Sequence, residues 1–199
     1  MILLVLGLAL FLGAHSARIV AEGPRRRFIE ARGENAWKGL YSVVSLIGLV
    51  LIGIGYGRAS EDPTIVWLPP TWLAPVNWLL TAVAFVLVAA AYVPGNRIRA
   101  AVGHPMVLGV KVWALGHFLV NGALAPMVLF GAFLVWAIVD YASARRRDRA
   151  AGTARAANGG LVADLSTVGI GTLAWGVFAF ALHAWLIGVS PFGALVAGG

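Results

Sequence analysis

Apolar residues run in long blocks along this chain, and polar residues gather in the short stretches between them. The blocks fall at roughly 1–21, 36–57, 72–93, 104–120, 123–142 and 167–189. Each is about as long as a helix must be to cross a hydrocarbon core near 30 Å thick. Inside a bilayer every backbone N–H and C=O needs an internal partner, which helices and closed barrels alone provide. Continuous apolar runs, rather than alternation, select the helix. The pattern predicts an all-α polytopic membrane bundle with about six transmembrane helices, forming one domain over residues 1–199. The fourth block is the shortest and calls for tilt or local bilayer thinning.

Composition agrees. Of 199 residues, 60% are hydrophobic and 12% charged, and the mean hydropathy is +0.87. There is no cysteine, which excludes disulfides, thiolate metal sites and cysteine nucleophiles. The net charge of +7 is spread over short loops, so it points to membrane topology and lipid contact, with no nucleic-acid partner.

The basic residues orient the bundle. Arg18, Arg25, Arg26, Arg27, Arg32 and Lys38 surround the first connection. Arg97 and Arg99 lie in the third, and Arg145, Arg146, Arg147, Arg149 and Arg155 in the fifth. All but Arg58 and Lys111 of the fifteen Lys and Arg residues therefore fall on one side. By the positive-inside rule that side is cytoplasmic and both termini are outside, as expected for a multi-pass protein of a bacterial inner membrane. Trp67, Trp72 and Trp78 then gather at the outer surface as a belt, and the other aromatic residues are read mainly as belt and packing. Ala14-His15-Ser16-Ala17 has the small residues of a cleavage site. No basic residue precedes the apolar run, however, so the first block is expected to stay as a helix.

The connections add neighbours. Asn121-Gly122 is so short a link that helices four and five must form an antiparallel hairpin. Pro126 falls in the first turn of helix five, where a missing N–H costs little. Residues 143–166, rich in Arg, Ala and Gly, are expected to lie on the membrane surface or be partly disordered. Gly48, Gly53, Gly55 and Gly57 in helix two allow close helix approach.

The polar side chains inside the blocks carry the candidate chemistry. His15, His104, His117 and His183 are the only histidines. A titratable ring in hydrocarbon is costly and needs a partner or a task. These are either satisfied polar groups or ligands, and imidazole suits haem iron and other transition metals. Lys111, seven residues beyond His104, shares its helix face, whereas His117 lies on another face. Asn121, four beyond His117, is placed to bond its ring, and Trp113, four before it, to pack on a flat cofactor. Lys111 either snorkels or meets a carboxylate or propionate. Arg18 suits an interfacial anchor or an anionic group such as a haem propionate or a lipid phosphate. Depth along the helices pairs His15 with His104 and His117 with His183. Asp140 and Asp164 are expected to balance arginines, and Glu34 suits a helix N-terminus. No phosphate-binding loop, intramembrane acidic pair or nucleophile–base–acid triad is legible.

Several segments together resemble the NnrU family. They are Gly13-Ala14-His15-Ser16, Gly33-Glu34 with Lys38-Gly39-Leu40-Tyr41-Ser42, His104-Pro105-Met106 through Gly109, Lys111-Val112-Trp113-Ala114-Leu115-Gly116-His117, and Asn121-Gly122. The resemblance spans nearly the whole chain, and the helix-four stretch is its most specific part. Members are linked to bacterial denitrification, and the haem b enzyme zeta-carotene isomerase is similar to the family. The resemblance implies a haem b site with His15 and His117 as axial ligands, and His104, Lys111, Arg18, Asn121 and His183 as further residues near the cofactor. Ala114 stands where that isomerase carries a cysteine, so a thiolate exchange does not transfer. The partner of His15 stays open between His117, by resemblance, and His104, by depth. Three functions follow as expectations: a redox or gas-responsive haem protein supporting nitric oxide or nitrite reduction alongside denitrification proteins, a haem-dependent isomerase of a lipophilic polyene, and a non-catalytic membrane assembly factor.

Overall fold

The computed structural model describes residues 1–153 and 158–192; Arg155 lies outside the described residues. The chain is helical, and among the described residues no strand forms. The helices are α1 (Ile2–His15), α2 (Ala17–Val20), α3 (Glu22–Arg32), α4 (Glu34–Glu61), α5 (Leu73–Tyr92), α6 (Arg97–Val102), α7 (Pro105–Val120), α8 (Leu124–Ala150) and α9 (Gly160–Val177). A π-helical turn, Phe178–Leu182, then leads into α10 (His183–Ile187).

Among the described residues, four helical stretches are long and apolar enough to cross a membrane: Glu34–Glu61, Leu73–Tyr92, Leu124–Ala150 and Gly160–Ile187. The expected count of six becomes four long helices plus two shorter apolar ones, α1 and α7. At 1.5 Å per residue the short pair rise about 21 and 24 Å, against about 30 Å or more for the others. Both helices of the short pair carry a candidate histidine.

The first predicted block breaks. α1 stops at His15, and Ser16 turns its hydroxyl back to the Leu12 carbonyl at 2.7 Å. Such a bond competes with the helical ladder. The connection beyond it is itself helical. In α3, Pro24 sits in the first turn, where its missing N–H leaves no bond unmade. At the other end, α8 runs eight residues past its expected stop at 142 to Ala150, built from Ala and Arg, which favour helix. Much of the segment expected as surface or disordered chain is therefore ordered helix.

Packing makes the helices neighbours in the order α4–α1–α8–α7–α5–α9, with α8 near the middle. The α1–α4 contact is the closest. A Cβ on Gly7 would lie 2.6 Å from the Ile52 nitrogen, and one on Gly48 would lie 2.7 Å from the Phe11 nitrogen. Gly55 is equally tight against Leu4, whereas Gly53 and Gly57 meet nothing within 4 Å. The two backbones touch because these three glycines offer no side chain, the usual device where lipid removes the hydrophobic drive. Leu4, Leu8, Ile52 and Ala125 fill the space where α1, α4 and α8 meet. Long apolar side chains such as Leu46, Val50 and Leu173 face outward, as lipid contact requires.

The α7–α8 hairpin forms as expected, and the loop after α4 closes over it. Val66 N–H donates to the Gly122 carbonyl and Leu124 N–H to the Thr64 carbonyl, each at 2.8 Å. A side chain at Gly122 would collide with the Trp67 carbonyl.

Candidate functional site

α8 separates the two histidine-bearing short helices, with α1 on one flank and α7 on the other. One strip of α8, Phe130, Phe133 and Trp136, comes at intervals of three residues and so occupies one broad face. Each member meets a different part of the site.

His15 ends α1 and stacks on Phe11, with ring centroids 4.2 Å apart. Tyr41 of α4 stands 5.0 Å from it, and Trp136 meets it edge-on at 5.9 Å. His117 lies near the end of α7, stacked against Phe130 at 4.7 Å and 5.2 Å from Trp113. Phe133 bridges the two halves, 5.8 Å from Phe11 and 5.7 Å from Trp113. The rings thus run without a gap from His15 through Phe11, Phe133 and Trp113 to His117. The α8 neighbours of the two histidines, Trp136 and Phe130, are six residues apart, about 9 Å of rise.

The two imidazoles are held alike. His15 Nδ1 lies 2.7 Å from the Phe11 carbonyl, and His117 Nδ1 lies 3.0 Å from the Trp113 carbonyl. A carbonyl only accepts, so Nδ1 carries the proton in both rings. Each Nε2 then holds a lone pair, and it makes no hydrogen bond among the described residues. An N–H anchored on a carbonyl with the opposite nitrogen left basic is the arrangement of metal-bound histidines. Beside His15, the indole N–H of Trp136 is buried with no partner among the described residues. An unspent donor in an apolar site carries a desolvation cost unless some group accepts from it.

Of the other sequence candidates, His183 lies near enough to His117 for the two rings to interact electrostatically, as depth along the helices expected, and the rest fall elsewhere. His104 precedes Pro105 at the start of α7, and its Nε2 bonds Asp148 at 3.0 Å. Asp148 lies twelve residues along α8 from Trp136, about 18 Å. Pairing His15 with His104 by depth is therefore not what the helices do: α1 ends early, and α8 runs on past it to meet His104. His183 opens α10, with Nδ1 against the Val189 carbonyl at 2.6 Å and its ring edge-on to Phe178. Asn121 donates to the His117 carbonyl at 2.7 Å, so it secures the main chain of α7 rather than the ring. Lys111 makes no ion pair or hydrogen bond among the described residues. Lying two residues before Trp113, it occupies nearly the opposite side of α7. Arg18 is exposed in α2 beyond the break and likewise has no partner among the described residues. Glu34 pairs with Lys38 at 3.0 Å, and Asp164 balances Arg97.

Sequence reasoning missed Phe11, Tyr41, Phe130, Phe133 and Trp136 as surroundings of the histidines. Phe11 and Trp113 each sit one turn before a histidine, a spacing that the chain repeats. The contribution of α8 depended on which helix lay between the other two.

Among the described residues no three histidine or acidic side chains converge on a metal position. A bare ion has no protein cage here. A porphyrin supplies its own equatorial nitrogens and asks the protein for one or two axial ligands. Each of these imidazoles offers a free Nε2 of the kind that demand calls for, with Phe11, Phe133 and Trp113 between the two.

No curated protein and no solved structure matches the chain. The family model described as NnrU protein matches residues 3–191. With nearly its whole length matched, the chain belongs to the NnrU family.

Proposed function

We propose that this protein is a haem b protein of the bacterial inner membrane that supports nitric oxide or nitrite reduction in denitrification. The α1 and α7 helices would cross with the four longer ones, leaving both termini outside. The observation that carries the reading is the matched pair of His15 and His117, each with Nδ1–H tied to the carbonyl one turn back. His15 and His117 would hold the haem. Phe11, Phe130, Phe133 and Trp113 would pack against it and keep water out, and the Trp136 N–H would donate to a polar group at its edge. Arg18, without a partner among the described residues, is available to a propionate, whereas Lys111 faces away from the rings. When bound, haem supplies an iron that binds small gases or passes one electron.

One observation favours a second reading, a haem-dependent isomerase of a lipophilic polyene. An apolar groove of about 640 Å³ runs between α1 and α8, with Gly13, Ser16 and Trp136 in its lining near the end of α1 that carries His15. Its walls span about eleven residues of each helix, some 16 Å, a length suited to an extended hydrocarbon.

Absorption spectra of the protein, made with ample haem and purified in mild detergent, test both. A Soret band that His15→Ala and His117→Ala each abolish supports the ligand pair. Loss in His15→Ala but retention in His117→Ala moves the second ligand elsewhere, and no band at all removes haem. A spectral change on adding nitric oxide favours the first reading. A changed cis/trans ratio in an added polyene favours the second.

A further inference from the structure

The C-terminal part of α8 carries the observation. Val139 is the last strongly apolar residue of that helix, and Arg145, Arg146 and Arg149 follow about 9, 10 and 15 Å beyond it. The headgroup layer adds roughly 5–7 Å on each side of the hydrocarbon; the Arg145 and Arg146 side chains, which lean back toward the helix N-terminus, reach it, and Arg149 stands at its outer edge. With Tyr141 and Ala142 they line a surface pocket of about 390 Å³.

That pocket is held in place from behind. The Tyr141 hydroxyl donates to the Val102 carbonyl at 2.7 Å. Asp148 takes the His104 ring at 3.0 Å. These two bonds pin the helix extension against the α6–α7 corner. Arg147 turns away to the Ser143 hydroxyl at 2.7 Å.

The pocket separates this patch from the other basic segment. In α3, Arg25 pairs with Glu22 and Arg26 with Glu30, Arg25 also lies over the Trp37 ring, and Arg27 and Arg32, without an ion pair among the described residues, do not line that pocket. At the end of α8, Arg145 stands 3.9 Å from Asp148, whose carboxylate already serves His104. Arg146 and Arg149 make no ion pair or hydrogen bond among the described residues. Topology alone requires positive charge on this side, and the paired arginines of α3 meet that need equally well. Adjacent unpaired guanidinium groups in a fixed pocket suit the oxygens of a phosphate, which they can bond in bidentate fashion.

We propose that Arg145, Arg146 and Arg149 form a binding site for a phosphate group at the cytoplasmic surface, either the headgroup of an anionic lipid or a soluble phosphate. The site is independent of the histidine pair.

The test uses delipidated full-length protein in neutral detergent, titrated separately with phosphatidylglycerol, phosphatidylcholine and inorganic pyrophosphate. Native mass spectrometry reads the bound species. Arg146→Ala/Arg149→Ala is compared with Arg25→Ala/Arg26→Ala, which removes the same charge from α3, and with Arg146→Lys/Arg149→Lys, which keeps it. The expected result is retention of phosphatidylglycerol over phosphatidylcholine. Binding falls about twenty-fold or more in the α8 alanine variant, at about five-fold for each arginine. It changes little in the α3 variant and is partly restored by lysine. Pyrophosphate binding with the same variant pattern but no lipid preference also supports the site and makes its ligand soluble. Equal losses in the α8 and α3 alanine variants, or no preference for any phosphate-bearing anion over phosphatidylcholine, overturn the proposal.

Discussion

His15 and His117 share a small device, an Nδ1–H bonded to the carbonyl four residues back, and in each case the residue that supplies the carbonyl is aromatic. The bond fixes the tautomer and leaves the aromatic residue stacked or tilted against the ring. Phe130 completes the His117 side and is nearly buried at 8% exposure. Phe130→Ala should cost about 3 kcal/mol in thermal unfolding, since the helices on either side cannot fully close over a lost ring. It should also broaden or shift any haem band while leaving some haem bound, because the ligand itself remains. A full loss of haem with unchanged stability would contradict that division of roles. The histidines were legible in the sequence as isolated polar rings in apolar blocks. Their aromatic neighbours were not, because Phe and Trp are equally at home against lipid, against each other or against a cofactor.

At the level of elements, the α1–α4 contact is set by where glycine is missing a side chain rather than by where apolar residues abound. Gly48 and Gly53 make a matched comparison within one helix. Gly48→Ala pushes a methyl into the Phe11 backbone and should destabilise by about 1–3 kcal/mol. Gly53→Ala points at open space and should be within about 0.5 kcal/mol of the parent. Thermal unfolding of both variants in one detergent checks the contrast, and equal effects would mean that α1 and α4 do not touch at Gly48. The sequence showed four glycines in helix two but could not tell which ones face α1. That depends on the rotation of one helix against another. The break after His15 was likewise hidden, since a serine continues a helix as readily as it ends one until its hydroxyl finds a carbonyl. It also decided the depth of His15, and with it the failure of the expected level match to His104.

On the scale of the whole molecule, the charge pattern gives a testable orientation. The absence of cysteine allows single-cysteine labelling on an otherwise silent background. Ser60→Cys, near the end of α4, should react with a membrane-impermeant maleimide added to intact spheroplasts. Ala151→Cys, at the end of α8, should react only after the membrane is opened. The reverse pattern would invert the topology and place the arginine pocket outside.

Helix class and the apolar, membrane-type character of the long helices were decided by the sequence alone, because each follows from local composition. Twenty apolar residues must become a helix in a solvent that offers no hydrogen bonds. The pairing of helices was decided by the tertiary structure. It set α8 between the two short helices, brought Phe133 into contact with both Phe11 and Trp113, and gave Asp148 to His104. Those contacts join residues from twenty to more than a hundred positions apart in the chain. They depend on which small side chains let which backbones approach, a property of two surfaces meeting that neither segment carries by itself.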